Sequence, residues 1–119
     1  MARRRGIAPP LRDRLVDAYI GVRILGFNNL RNLTALVGGN GTLGPESSIM
    51  KLYWASWHRR LGELGMDILG AEGMCLDGPH GDLVKTFLLS RAETIYGGAN
   101  QIQRNTIGER VLGLPREPR

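Results

Sequence analysis

The stretch IYGGANQIQR, residues Ile95–Arg104, divides the C-terminal part of the chain into two segments. Gly97 and Gly98 interrupt an apolar run, and glycine readily adopts the left-handed conformation in which helices commonly end. Asn100 is a good N-cap for a following helix, and Gln103 stands three residues later, where it can reach back toward the cap backbone. The stretch therefore predicts one helix that ends at the two glycines and another that starts at Asn100.

Three further segments upstream have apolar residues at helical intervals. The first runs from Pro9 to Val37, the second from Pro45 to Ile68, and the third from near Asp82 to the double glycine. Proline suits the first turn of a helix, and the first two segments each begin with one. Four helices and no convincing strand predict an all-α fold, a four-helix up-and-down bundle at 9–114. A flexible basic N-terminus at 1–8 and a C-terminal tail at 115–119 are expected to flank it.

The apolar faces of these helices predict the core. On the first helix the apolar stripe is broad enough to contact more than one neighbour, so we expect a further partner surface, either another domain or another subunit. Tyr53 and Trp57 on the second helix are expected to pack in the core. The residues expected to point inward on the third and fourth helices are Leu83, Val84, Phe87, Leu88, Ile95, Ile102, Ile107 and Val111.

Composition is that of a globular protein. The 119 residues are 42% hydrophobic and 23% charged, with a formal net charge of +5. Basic residues lie toward both ends and would attract a polyanion, but acidic residues are interspersed, and nucleic acid is not an expected partner. The single cysteine, Cys75, cannot pair within the chain, which favours a reducing, cytoplasmic location. No stretch is apolar enough to span a bilayer, so no membrane partner is expected.

Neither histidine predicts a metal site. His58 lies beside Arg59 and Arg60, without a second ligand at helical spacing, and is expected on a solvated face. His80 is isolated in a loop, and Cys75 has no sequence neighbour that would activate its thiol.

With the helices, glycine turn and polar cap in place, the chain resembles a known family. IYGGANQIQRNTIGERVLGLPREP at 95–118 is similar to the C-terminal signature of the acyl-CoA dehydrogenase family, and GPESSIMKLYWASWHRRLGELGMDILGAEG at 44–73 is similar to the preceding helix and glycine-rich turn. The resemblance covers nearly all of the chain from Arg12 onward. It implies a flavoenzyme that removes a proton from Cα of an acyl-CoA thioester and passes a hydride from Cβ to FAD. Members of that family have three domains, and this chain resembles most of the last one.

The resemblance also implies which residues lie near the cofactor. Many family members carry the catalytic glutamate directly after the tyrosine of the signature, where this chain has Gly97, so no catalytic residue is expected at the usual place. Gly98, Ala99 and Gln101 match positions that approach the adenosine portion of FAD, although Ala99 replaces a common threonine.

A second glycine-rich turn carries the other implied contact. Gly70 and Gly73 match a loop that in relatives lies against FAD from a neighbouring subunit. Asp67 and Glu72 depart from the family pattern there, and an acid near a pyrophosphate would repel it.

Glu93 is the one candidate for a displaced base. It lies four residues before Gly97 and is therefore expected on the same helix face. The favoured alternative is a solvated or salt-bridged carboxylate on that face.

Three functions remain open from the sequence. The leading hypothesis is the C-terminal domain of an FAD-dependent acyl-CoA dehydrogenase, inactive alone, which would bind acyl-CoA only in a complete enzyme. Its expected partners are further copies, a second kind of subunit, or the missing domains. The alternative is a non-catalytic module for oligomerisation or partner binding that derives from the same family. The least favoured hypothesis is a basic nucleic-acid binder, which would show steeply salt-dependent binding to DNA.

Overall fold

The computed structural model describes residues 8–39, 41, 43 and 45–116. Within these ranges the chain forms helices and no strand: α1 (Pro9–Gly38), α2 (Ile49–Leu69), α3 (Gly81–Ala92) and α4 (Asn100–Thr106). Short 3-10 turns at Pro45–Ser48 and Gly70–Met74 flank α2, and a π turn at Ile107–Val111 follows α4. The predicted all-α four-helix fold is confirmed. The expected basic N-terminus lies outside the described residues except for Ala8, as do the last three residues of the expected tail.

Helix α2 lies at the centre of the fold. It packs against α1, α3 and α4, whereas α1 and α3 have little contact with each other. The buried apolar residues follow this arrangement: Leu25, Ala55, Trp57, Leu64 and Val84. The predicted core position of Trp57 is confirmed, while Tyr53 is half-buried.

Two glycines allow the close helix contacts. At Gly21 of α1 an added Cβ would overlap the Trp57 indole, whose Nε1 donates a hydrogen bond of 3.0 Å to the Ala18 carbonyl. At Gly62 of α2 a Cβ would lie 2.8 Å from the fully buried Ser90 Oγ and 3.2 Å from the Phe87 Cα. The close contacts of α1 with α2 and of α2 with α3 therefore both require glycine at these positions.

Arg91 links α3 to α2. Its Nη1 donates to Glu63 Oε1 at 2.7 Å, its Nη2 donates to the Arg59 carbonyl at 2.6 Å, and its guanidinium lies over the Phe87 ring. The hydrogen bond and the charge of Arg91 hold the pKa of Glu63 below its usual value. This contact fixes the turn of α3 that leads into the candidate site.

The predicted end of the third helix is wrong. Helix α3 stops at Ala92, and the chain continues in turns to Gly97. The Thr94 hydroxyl donates to the Arg91 carbonyl at 2.8 Å, and the amides of Ile95 and Tyr96 both donate to the Ala92 carbonyl. The Ile95 bond spans three residues instead of the four of an α-helix, so the regular α-helical pattern is lost before the glycines.

Much of the predicted inward surface is exposed in this chain. On α1 only Gly21 and Leu25 are buried, and three residues of the broad stripe, Tyr19, Phe27 and Leu30, are each more than half exposed. Four residues after α2 that were expected to point inward are likewise exposed: Leu83, Leu88, Ile95 and Ile102. The reason is that α2 covers one face of each neighbour, and no other described element covers the remaining faces. None of the described helices is long and apolar enough to cross a membrane.

Candidate functional site

The double-glycine turn has a backbone that other residues rarely adopt. Gly97 has φ +66° and Gly98 has φ +99°, both in the left-handed region. A Cβ at Gly98 would also lie 2.5 Å from Gln103 Nε2, because the Gln103 amide folds over the turn and donates to the Gly97 carbonyl at 3.1 Å. The predicted capping box is therefore wrong in detail. Ala99 is the cap residue, and Gln103 bonds a carbonyl before it.

The turn presents free backbone donors. Within the described part of the chain, the N–H groups of Gly97, Gly98 and Ala99 donate no backbone hydrogen bond, whereas the Asn100 amide donates to the Thr94 carbonyl at 3.1 Å. Gly97 is exposed, and so is Gln101 on the first turn of α4. Successive unpaired N–H groups on an exposed bend can bind phosphate or hydroxyl oxygens of a ligand.

Beneath the turn lies a buried histidine–carboxylate pair. The Nδ1 of His58 is 2.5 Å from Glu93 Oε2, and the two side chains are only 12% and 8% exposed. The imidazole also stacks on the Trp54 indole, with ring centroids 4.8 Å apart. The expectation that His58 lies on a solvated face is wrong, because α3 brings Glu93 over it.

The same contact places Glu93, the candidate base. Glu93 follows the last residue of α3, so it does not share a helix face with Gly97 as expected. Its carboxylate is paired with the His58 imidazole, which is close to the favoured alternative, but it is buried rather than solvated.

Lys51 contacts the turn from the first turn of α2. Its Nζ donates to the Glu93 carbonyl and lies 5.5 Å from the centroid of the Tyr96 ring. Its Cε is 3.4 Å from the place where a Cβ on Gly97 would lie. Sequence reasoning missed Lys51. The available signal was its spacing, since Lys51, Ala55 and His58 fall on one face of α2.

The second predicted contact segment lies at the other end of α2. Gly70 has φ +56° and begins the 3-10 turn in which Gly73 packs against Met66. At a rise of about 1.5 Å per residue, this turn is about 30 Å along α2 from Lys51 and the double-glycine turn. The structure therefore does not bring the two predicted segments together within one chain.

Both acids near the second turn have cationic or ionisable partners. Asp67 Oδ2 accepts from Arg14 Nη1 at 2.6 Å. Glu72 Oε2 lies 3.0 Å from His80 Nε2, so the prediction of an isolated His80 is wrong. The charge of Arg14 reduces the repulsion that Asp67 would exert on a phosphate. No cluster of three or more potential metal ligands occurs in the described ranges.

Comparison with known proteins gives concordant matches. The sequence model of the family "Acyl-CoA dehydrogenase, C-terminal domain" matches residues 3–112. The chain is 46% identical over 121 residues to acyl-CoA dehydrogenase IpdE1 of Mycobacterium tuberculosis, an alignment that covers 98% of this chain and 30% of that protein. Its identity to IpdE1 of Mycolicibacterium smegmatis is 43%, over 98% of this chain and 29% of that protein.

A more distant relative is acyl-CoA dehydrogenase FadE34 of Mycobacterium tuberculosis, 34% identical over 72% of this chain and 12% of that protein. No solved structure gives a significant match. The chain thus spans 30% or less of the length of these curated relatives. It belongs to the acyl-CoA dehydrogenase family, and its sequence corresponds to that family's C-terminal domain.

Proposed function

We propose that this chain is the C-terminal part of an FAD-dependent acyl-CoA dehydrogenase and is inactive alone. The observation that carries the proposal is the turn at Gly97 and Gly98, exposed at Gly97, whose unpaired N–H groups lie in a stretch that matches the family signature. Gly98, Ala99 and Gln101 would contact the adenosine portion of FAD, and Gly70 and Gly73 would contact FAD from the other end of α2. When bound, FAD supplies the acceptor for the hydride from Cβ of the acyl-CoA.

The residues at the first turn fit such a ligand. Gly97 is exposed and carries no side chain that would keep a ribose or phosphate away from the backbone, whereas the Gln103 amide lies over Gly98. The formal charge of +5 also favours an anionic ligand. Gly97 and Gly98 already have left-handed conformations, so little backbone ordering would remain to be done when a ligand binds.

The distance between the two turns supports a site shared between polypeptides or domains. A separation of about 30 Å along α2 prevents one chain from offering both turns to the same part of one dinucleotide. Each turn would therefore contact a different FAD, or a different end of it, in an assembly.

The proton acceptor must come from elsewhere. Gly97 has no side chain, and the Glu93 carboxylate is turned toward His58 and buried, where it is not free to reach a substrate. A base supplied by another part of a longer protein or by a partner subunit satisfies the chemistry, because removal of a thioester α-proton requires an oriented carboxylate or similar group.

The test is whether flavin stays with the protein. The chain is purified with FAD, alone and together with polypeptides that supply the other domains of an acyl-CoA dehydrogenase, and the flavin absorption spectrum is recorded after gel filtration. Bound flavin in at least one mixture supports the proposal. Colourless protein in every mixture contradicts it.

A second candidate function is a non-catalytic module for oligomerisation or partner binding. The observation that favours it is the exposed apolar surface of α1, which includes Val16, Tyr19, Leu30 and Leu33. Stable assembly without flavin in the same gel-filtration experiment distinguishes this function from the first.

A further inference from the structure

Lys51 is one of only two lysines in an arginine-rich chain, and the two have different surroundings. Lys85 is exposed on α3 and, among the described residues, pairs only with Asp82, at 3.5 Å. Lys51 is half-buried at the start of α2 and contacts two residues of the segment between α3 and α4, through the Glu93 carbonyl and the Tyr96 ring. Its Cε also lies 3.4 Å from the place where a Cβ on Gly97 would be.

The segment between α3 and α4 depends on α2 for its position. The polar contacts that tie it and the start of α4 to other described elements all come from α2: Lys51 to the Glu93 carbonyl, His58 to the Glu93 carboxylate, and the weak 3.4 Å contact of Asn100 with Ser56. Of these three contact residues of α2, only Lys51 also approaches a glycine, while Gln103 of α4 donates to the Gly97 carbonyl at 3.1 Å. His58 holds the beginning of the segment, and Asn100 lies after it.

Glycines make this support consequential. Gly97 and Gly98 can adopt many backbone conformations in the absence of constraints, and a turn that samples them would have to be ordered when a ligand binds. The Lys51 Cε lies close enough to Gly97 that an added Cβ there would touch it, and the ammonium donates to the Glu93 carbonyl. The arrangement restrains the backbone that leads into the turn, at Glu93 and Tyr96.

We propose that Lys51 is a positioning residue for the double-glycine turn. It holds the turn in its ligand-ready conformation through the Glu93 carbonyl and the Tyr96 ring, and it does not itself touch the ligand. The part of this inference that concerns ligand affinity rests on the proposed function, in which the ligand of the turn is FAD.

The first readout requires no ligand. Amide hydrogen exchange is measured by NMR for Tyr96, which donates to Ala92, and for Asn100, which donates to Thr94. Lys51→Met keeps the length of the stem and removes the charge and the donors. We expect exchange of both amides to accelerate by about tenfold or more, since a hydrogen bond from a charged donor is lost. Lys85→Met is the matched control and should leave both rates unchanged.

Two comparisons separate positioning from general stability. Amides in the middle of α2 and α3 should keep wild-type exchange rates in Lys51→Met. Lys51→Arg retains the charge and the donors, and should restore protection at Tyr96 and Asn100. Unchanged exchange of these two amides in Lys51→Met overturns the proposal. So does equal acceleration throughout α2 and α3, or an unfolded Lys51→Met together with a Lys51→Arg that is no better protected.

The second readout is FAD affinity in the assembly that retains flavin. We expect Lys51→Met to bind FAD about tenfold more weakly than the wild type, and Lys85→Met to bind it equally. If the wild type binds no FAD but the exchange result is as expected, the proposed function fails and the positioning role stands. If the wild type binds FAD and Lys51→Met binds it equally well, the inference about affinity is refuted.

Discussion

The contact between α2 and α3 predicts that one glycine-to-alanine change will destabilise the protein while the same change three residues later will stabilise it. At Gly62 the new Cβ would lie 2.8 Å from Ser90 Oγ and 3.2 Å from Phe87 Cα. The Phe87 Cα is backbone and cannot rotate away, and the Ser90 hydroxyl is engaged with the Phe87 carbonyl at 2.6 Å. The helices must therefore move apart. At Gly65 an added Cβ would meet nothing within 4 Å.

The magnitudes follow from two opposing terms. Alanine in place of glycine in a helix interior stabilises by about 1 kcal/mol, and this term applies to both positions. Overpacking of a close contact costs about 1–3 kcal/mol, and this term applies only to Gly62. The free energy of unfolding should therefore fall by about 1 kcal/mol in Gly62→Ala and rise by about 0.5–1 kcal/mol in Gly65→Ala.

Urea denaturation followed by tryptophan fluorescence, to which Trp54 and the buried Trp57 both contribute, measures both variants, with far-ultraviolet circular dichroism as a second probe of unfolding. Opposite signs for the two changes support the described contact. Stabilisation of similar size in both variants would show that α2 and α3 are not in close contact at Gly62, and the arrangement of the bundle would have to be revised.

Two further predictions concern the acidic residues. Glu93→Gln removes one charge from the buried pair with His58 and should lower the free energy of unfolding by about 1–3 kcal/mol. Glu72→Gln, in the more exposed pair with His80, should change the free energy of unfolding by less than about 0.5 kcal/mol. Similar small effects in both variants would argue against the buried pair. Arg91 lowers the pKa of Glu63, so this pair contributes stability above the unfolded pKa of about 4.3 that is lost as the pH falls through the lower folded pKa. Glu63→Gln should therefore flatten the acid limb of the stability profile, and an acid limb identical to that of the wild type would contradict the assigned cause.

The helices could be predicted from local signals. Pro9 fixed the start of α1, and the apolar spacing of α2 placed Trp57 in the core, because both depend on residues close together in the sequence. The end of α3 could not be predicted in this way. Gly97 is the stronger local signal for a helix end, but the side chain of Thr94 and the shared acceptor at Ala92 end the helix five residues earlier.

The support of the candidate site required tertiary information. His58 and Glu93 are 35 residues apart and belong to different elements, so their pairing leaves no periodic pattern. Lys51 and Gly97 also belong to different parts of the chain, so their proximity leaves no periodic pattern either. The turn itself was predictable, since two adjacent glycines before a polar helix start are a local feature. Its role in binding FAD stays a prediction.

The exposed face of α1 illustrates a different limit. The spacing of the apolar residues on α1, among them Tyr19, Phe27 and Leu30, predicted a broad apolar stripe, but spacing does not specify what covers that stripe. The expectation of a partner surface stays a prediction.

The measurement that tests the central claim most directly is an FAD titration of the flavin-retaining assembly that carries wild-type chain, Gly98→Ala or Gly113→Ala. Both glycines have left-handed backbones, with φ +99° and +67°, so the two variants introduce similar backbone strain in different places, and Gly98→Ala additionally displaces the Gln103 amide. If the double-glycine turn contacts the cofactor, Gly98→Ala should weaken FAD binding by about tenfold or more, and Gly113→Ala should bind it like the wild type. Equal FAD affinities for Gly98→Ala and the wild type would contradict the account.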